Sequence, residues 1–271
     1  MAMEIISIIV FLLFIGIVKG YYSDYGSKNN PAVYRFAEYI FLLSKKNIKS
    51  LSAIFFSFAI ILLFFLILLL RPLPSFGIEI NEARYSSNYL NMSREIFYVQ
   101  TPGNCAPYSV MAVLNVLRGE KPDPQLLAQE TGWRVGRSET FPQGLIELLK
   151  KYEIRTREYS LRAYRDDKKL LWLRNNIDNG NPLILFVRDE DAQHYFTVLG
   201  YDEDGFMIYD SAQKGQEENP RMTIVDREDY AGNRYFTNDE LIEAWNSGGF
   251  SLFFRNWAVV CSLAAPGQPG N

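Results

Sequence analysis

The sequence predicts an α+β fold, with a helical part followed by an antiparallel sheet, preceded by two transmembrane helices. Two runs near the N-terminus are almost wholly apolar, whereas the rest of the chain has an ordinary globular composition. After residue 95, segments with helical spacing come first, and short strand-like runs dominate the second half. Segregation of helices from strands in this way is typical of the α+β class.

Residues 51–70 form the clearer of the two apolar runs. Only Ser52 and Ser57 are polar in this stretch, and Lys49 and Arg71 flank it. The length matches the thickness of a bilayer, and a soluble core helix is rarely apolar on every side. The run is therefore predicted to span a membrane.

A second span is predicted at about residues 5–19. A cleaved signal peptide is the alternative, but the basic start and small-residue cleavage site that it needs are absent. The loop between the spans, residues 19–50, carries six basic and two acidic residues. This positive loop is expected in the cytoplasm, which places everything after Arg71 outside it.

The net charge of the chain limits the kinds of molecule that it is expected to bind. The chain has a net charge of −3, and because residues 1–70 carry +3, residues 71–271 carry −6. An acidic domain argues against nucleic acid as a partner. The expected partners are a peptide or protein substrate, membrane lipid and a membrane protein that contacts residues 1–70. The predicted segments are a membrane anchor (1–75), a linker (76–95), a soluble domain (96–263) and a flexible tail (264–271).

The soluble domain has recognisable helix and strand signals. Pro182–Val187 is a continuous apolar run typical of a buried strand, and Asp202–Gly205 is a turn signal between two strands. Residues 211–236 are polar and irregular, with one short strand near 222–225. Other strands are predicted at 96–99, 154–160 and 250–262, and helices at 105–118, 125–130, 142–152, 166–178 and 241–246.

The two cysteines lie in different settings. Cys105 follows a loop with Pro102 and Gly103 and begins a predicted helix, whereas Cys261 lies in an apolar strand-like run. A buried thiol behaves as a small hydrophobic group, so a Cys105–Cys261 disulfide is not expected. A thiol at a helix N-terminus has the setting that lowers the pKa of a nucleophilic cysteine.

The only histidine, His194, lies at the start of a predicted strand, and Asp210 closes the next strand. An imidazole could activate Cys105, and a carboxylate could hold the other ring nitrogen. Gln100, on the loop before Cys105, could donate to a developing oxyanion. Each residue alone also has an ordinary structural role, so it is their joint occurrence that indicates catalysis.

On these features, residues 96–262 resemble papain-like cysteine peptidases of the bacteriocin-processing, double-glycine leader peptidase type, as a stand-alone membrane-anchored relative. The resemblance is carried by Gln100 and Cys105 before a helix, the run His194–Tyr201, and Asp210. It implies a papain-like fold in which Cys105 is the nucleophile, His194 the base, Asp210 the orienting acid and Gln100 the oxyanion donor.

The resemblance implies a thiol hydrolase that cleaves a peptide or amide bond. The family usually has glycine after the cysteine, whereas this chain has Ala106 and Pro107. The alternative is therefore a catalytically inactive papain-like module that binds peptides or serves as an accessory subunit of a membrane complex. Acyl transfer would use the same nucleophile. No cofactor or metal is expected, because the sequence lacks metal-ligand spacing and phosphate-binding glycine loops.

Overall fold

The computed structural model describes residues 56–66, 72–135, 139–189, 192–212, 223–224, 231–249 and 253–263. Residues 1–71 and 72–271 form two separate compact units. In the first unit, residues 56–66 are helical. Within the described stretches, no helix has both the length and the apolar character needed to cross a bilayer. The predicted span at about 5–19 lies outside the described residues, as do both ends of the span predicted at 51–70.

The second unit contains five described α-helices and a 3₁₀ turn. The helix predicted at Cys105 and the three that follow it are confirmed within one or two residues. The capping box predicted at Thr237 and Glu240 is also confirmed. The helices are α1 (Cys105–Arg118), α2 (Pro124–Glu130), α3 (Pro142–Lys151), α4 (Asp166–Asp178) and α5 (Asn238–Ser247), and the 3₁₀ turn is Arg94–Ile96.

The strands of the second unit form one large antiparallel sheet and a separate two-stranded ribbon of β2 and β3. Described strands of the large sheet follow the order β4-β10-β5-β6-β7-β9-β8, and β1 pairs with the end of β6. The predicted α+β fold with an antiparallel sheet is therefore confirmed. The strands are β1 (Asn88–Tyr89), β2 (Arg134–Val135), β3 (Glu139–Thr140), β4 (Ile154–Ser160), β5 (Leu183–Asp189), β6 (Ala192–Tyr201), β7 (Gly205–Tyr209), β8 (Thr223–Ile224), β9 (Arg234–Thr237) and β10 (Trp257–Leu263).

Helix α1 is buried for most of its length, from Ala106 to Asn115. A helix that is apolar on nearly every side must lie within the protein, and α1 packs against β6 and α2. The helix ends at Gly119, whose φ of 70° is the left-handed conformation that glycine adopts without strain. Cys105 is thereby held at the N-terminal end of a rigid, buried element.

Strands β5, β6 and β7 form the centre of the sheet. The first five residues of β5 are all buried, as its continuous apolar sequence predicts. The β6–β7 turn is held by Asp202, whose Oδ1 accepts from the N–H groups of Asp204 and Gly205 at 3.0 and 2.8 Å. This turn begins the pairing of β6 with β7, and an irregularity between Val198 and Gly200 shifts the register before the strands reach His194 and Asp210.

The segment predicted as a linker, residues 76–95, lies along the second unit. The N–H of Arg84 donates to Oδ2 of Asp178 at 2.8 Å, and β1 pairs with β6. Ile78 and Ile80 pack against the main core. Side-chain acceptors on α4 satisfy two of its N–H groups, those of Asn81 and Arg84, and such contacts require no regular period in the sequence.

Two local predictions are wrong. A strand was predicted at Ile96–Val99, but the N–H groups of Phe97 and Tyr98 donate to carbonyls within the preceding turn. Strand β9 was missed within the region predicted as irregular. Its four residues are too few to show a clear period, and it is stabilised by pairing with β7 on one side and β8 on the other.

Candidate active site

Cys105 is the first residue of α1, and its side chain is half-buried. Arg134 stabilises the loop before Cys105, because its Nη2 donates to the carbonyl of Gly103 at 3.3 Å and to Oδ1 of Asn104. The first N–H groups of a helix have no acceptor within the helix. The thiol therefore lies beside backbone donors, at the positive end of the helix dipole.

His194 lies in β6 and is only 5% exposed. Its Nε2 is 2.7 Å from Oδ1 of Asp210. Cys105 lies close enough to the ring to help raise the pKa of His194. Because an imidazole has two nitrogens, the Asp210 bond leaves Nδ1 for Cys105. The structure thus brings three of the four predicted site residues, Cys105, His194 and Asp210, into one interacting group.

Asp210 is fully buried at the end of β7, and both its carboxylate oxygens are occupied. Oδ1 accepts from the N–H of Ala212 at 2.8 Å in addition to His194, and Oδ2 accepts from Nη1 of Arg234 at 2.6 Å. The amide of Asn233 bonds the N–H and the carbonyl of Asp210, each at 2.8 Å. Both the backbone and the side chain of Asp210 are therefore fixed.

Arg234 and Asp189 extend this network away from Cys105. Nη1 and Nη2 of Arg234 donate to the two carboxylate oxygens of Asp189 at 2.7 and 3.1 Å. The guanidinium lies 4.0 Å from the centre of the Phe236 ring. Charges in the network therefore alternate in sign from Asp189 to Arg234, Asp210 and His194.

The pKa values of His194 and Asp210 move apart. Burial lowers the pKa of His194, but the Asp210 carboxylate and the nearby Cys105 outweigh it and raise that pKa to about 10. Burial raises the pKa of Asp210, but His194, Arg234 and the Ala212 N–H outweigh it and hold that pKa well below its usual range. The pair therefore exists as imidazolium and carboxylate at neutral pH.

Gln100 contacts the residue that follows Asp210. Its Oε1 accepts from Oγ of Ser211 at 2.7 Å, and its N–H donates to the carbonyl of Ser211 at 2.8 Å. Because Oε1 is used in this way, the Nε2 donors of the amide remain for another acceptor. The loop with Gln100 and the loop after Asp210 are thus joined by two hydrogen bonds.

Cys261 is fully buried in β10, and both cysteines are free. Burial raises the pKa of the Cys261 thiol well above its usual range. The interpretation of Cys261 as a small buried hydrophobic group agrees with this setting. The two thiols of the chain are therefore in opposite environments.

Sequence reasoning missed four residues that support the site, namely Arg234, Asp189, Asn233 and Ser211. The aromatic residues Tyr235 and Phe236 beside Thr237 were a weak strand signal that could have indicated β9. It could not have shown that Arg234 pairs with Asp210. That pairing depends on the register of β9 against β7, in which Arg234 is opposite Ile208.

Comparison with known proteins gives solved structures and a family. The peptidase domain of Streptococcus ComA, a bi-functional ABC transporter involved in quorum sensing, is 14% identical, with a TM-score of 0.39 over 62% of this chain and 97% of that one. A C39-like peptidase structure from Bacillus anthracis is 15% identical, with a TM-score of 0.44 over 65% and 98% of the two chains. A cysteine protease of Carica candamarcensis is 12% identical, with a TM-score of 0.37 over 67% and 100%.

No curated protein matches the chain. The model of the Peptidase_C39-like family matches residues 93–237, which is more than half of the chain and includes all four predicted site residues. The predicted resemblance to peptidases of the bacteriocin-processing type is confirmed at this level. The chain belongs to the Peptidase_C39-like family.

Proposed function

We propose that this protein is a membrane-anchored thiol hydrolase that cleaves a peptide or amide bond through Cys105, His194 and Asp210. The observation that carries the proposal is the 2.7 Å hydrogen bond between His194 and the buried Asp210 carboxylate, with Cys105 at the start of α1 close enough to help raise the pKa of the same imidazole. Membership of a family of cysteine peptidases supports the same reaction type.

In the first step the thiol proton resides on His194, and the Cys105 sulfur attacks the carbonyl carbon of the substrate. A thiolate is the attacking form of cysteine. His194 then gives its proton to the leaving amine as the carbon–nitrogen bond breaks, which leaves a thioester. In the second step His194 takes a proton from water, the resulting hydroxide attacks the thioester, and the carboxylic acid leaves as the thiol is restored.

Two donors could hold the negative oxygen that forms in each step. One is the backbone N–H of Cys105 in the first turn of α1, and the other is Nε2 of Gln100. The Ser211 hydroxyl supports this assignment for Gln100, because it occupies Oε1 and leaves the amide nitrogen to donate. Removal of one such donor typically costs about 10²–10³ in kcat.

The membrane anchor is the other part of the proposal. Two spans, at about residues 5–19 and 51–70, place the domain outside the cytoplasm, on the evidence of the basic loop between them. The substrate is then a peptide or protein in that compartment. Membrane lipid surrounds the two spans, and residues 1–70 could also contact a membrane protein.

Alkylation of the two thiols tests the proposal. Iodoacetamide treatment of the full chain between pH 5 and 8, followed by mass spectrometry, should modify Cys105 rapidly below neutral pH and leave Cys261 unmodified. Cys105→Ala should abolish hydrolysis of a fluorogenic peptide-amide pool, and Cys261→Ala is the matched control that retains it. Slow alkylation of Cys105 with no hydrolysis would support the inactive binding module instead.

A further inference from the structure

We infer that Arg234, held by Asp189, is a positioning residue for the site. It fixes the Asp210 carboxylate so that Oδ1 is directed at His194. The inference rests on the proposed function for its catalytic meaning, but the arrangement of side chains can be tested without turnover. Neither residue contacts Cys105, and both act through Asp210.

The geometry gives each oxygen of Asp210 its own partners. Oδ2 accepts from Nη1 of Arg234 at 2.6 Å, and Oδ1 accepts from His194 and Ala212. A carboxylate that is held at both oxygens cannot rotate about its Cβ–Cγ bond without breaking a charge-assisted hydrogen bond. Arg234 thereby limits the direction in which Asp210 can accept from the imidazole.

Asp189 fixes Arg234 in turn. The guanidinium donates through both Nη atoms to the two oxygens of Asp189, and its face lies over the Phe236 ring. A planar fork of donors matches a carboxylate in this way, whereas a lysine ammonium would act as a single point charge. The positioning therefore depends on the shape of the arginine side chain as well as its charge.

Because Arg234 and Asp210 are buried, each charge needs an oppositely charged partner. Arg234 is 3% exposed and Asp210 is 0% exposed. A buried charge without a partner is strongly destabilising. If Arg234 were absent, the carboxylates of Asp189 and Asp210 would face one another, and one would take up a proton.

Charged and titratable groups approach the network from several elements. His194 of β6 and Arg234 of β9 face Asp210, and Asp189 of β5 faces Arg234. Cys105 of α1 also interacts with His194. Tyr209 of β7 also lies in the field of Asp210, and its hydroxyl donates to the carbonyl of Tyr98 at 2.8 Å.

The single histidine makes a direct test possible. Histidine-selective ¹⁵N labelling of the full-length chain gives one imidazole, so its titration between pH 5 and 11 is unambiguous. The variants are Arg234→Lys and Asp189→Asn. Arg174→Lys is the matched control, because Arg174 also lies against aromatic rings and donates through Nη2, but at the other end of β6.

If Asp210 is no longer held, burial should dominate and the pKa of His194 should fall by at least about one unit in Arg234→Lys. Asp189→Asn should shift it in the same direction by less. An unchanged or raised pKa in Arg234→Lys, with a folded protein, would overturn the inference. Arg174→Lys should leave the titration as in the wild-type protein.

Turnover provides the second measurement. We expect Arg234→Lys to lower kcat about 10–100-fold with KM little changed, because Arg234 is only 3% exposed and acts through Asp210. A larger effect on KM than on kcat would contradict positioning. The two proposals fail differently: if the wild-type chain hydrolyses nothing while the His194 titration still responds to Arg234, the proposed function fails and the positioning role remains.

Discussion

The two ends of the β6–β7 hairpin carry the same kinds of side chain in different arrangements. At the turn end, Arg174 lies over the rings of Tyr201 and Phe206 and donates to the carbonyls of Asp202 and Glu203. At the other end, Arg234 lies over Phe236 and donates to carboxylates. Arg174 thus stabilises a turn, whereas Arg234 donates to Asp210, the carboxylate that bonds His194.

This comparison shows what separates a structural polar cluster from a candidate catalytic one. The hydroxyl of Tyr201 donates to Oδ1 of Asp178 at 2.6 Å, so the turn end also has a carboxylate with a titratable partner. Burial and this bond raise the pKa of Tyr201, which keeps it neutral. At the site end the corresponding partner of the carboxylate is His194, whose pKa is raised by Asp210 and by the half-buried Cys105 near it, so that it carries a charge at neutral pH.

The largest effect should come from neutralising the carboxylate at the site end, Asp210. Asp210→Asn should lower hydrolysis by about 10²–10⁴, because the amide cannot hold the same imidazole tautomer. It should also destabilise the fold by about 3–5 kcal/mol, since His194 and Arg234 lose a buried counter-charge. Enzyme assays and urea unfolding measure these effects.

Asp178→Asn is the matched change at the turn end. It should cost about 1–2 kcal/mol, because its hydrogen bonds to Tyr201 and the Arg84 N–H weaken, and hydrolysis should be unchanged. Equal losses of hydrolysis in the two variants would show that the ends do not differ in the way proposed.

The next largest effect should be a pH dependence of the folding stability that arises from His194 and Asp210 at the site end. His194 has a pKa raised from 6.5 to about 10 in the folded protein, so its stabilising contribution is fully present below pH 6.5 and is lost as pH rises through about 10. The pKa of Asp210 is lowered from 3.8, so its contribution is present above pH 3.8 and is lost as pH falls through the lowered value.

Thermal unfolding between pH 5 and 11 measures this loss. His194→Gln is the comparison chain, because it keeps every other titrating group. We expect the wild-type protein to lose its advantage over His194→Gln as pH rises toward 10. A constant difference between the two chains across that range would contradict the assigned ion pair.

The smallest effect is expected at the helix cap beside the turn. Oγ1 of Thr237 accepts from the N–H of Glu240, and the Glu240 carboxylate accepts from the N–H of Thr237. Thr237→Ala should therefore cost about 1 kcal/mol of stability. Hydrolysis should not change, because this cap lies at the turn end of β9, and a loss of activity larger than the loss of folded protein would argue against that separation.

Much of the second unit was predictable because its signals are local. Proline, glycine and capping residues define the ends of α1, α2 and α5, and the apolar run of β5 defines the central strand. The segment at 76–95 was not predictable, because its hydrogen bonds go to side chains about ninety residues away. Strand β9 was missed for the same reason, since pairing with β7 stabilises it.

The sequence by itself determined the residue types of the candidate site: one histidine, one cysteine at a helix start, and an aspartate at a strand end. Only the tertiary structure decided their partners. It bonded His194 to Asp210, turned Gln100 toward Ser211, and brought Arg234 and Asp189 to the far side of the carboxylate. Strand register sets these contacts, and register depends on side chains far apart in the chain.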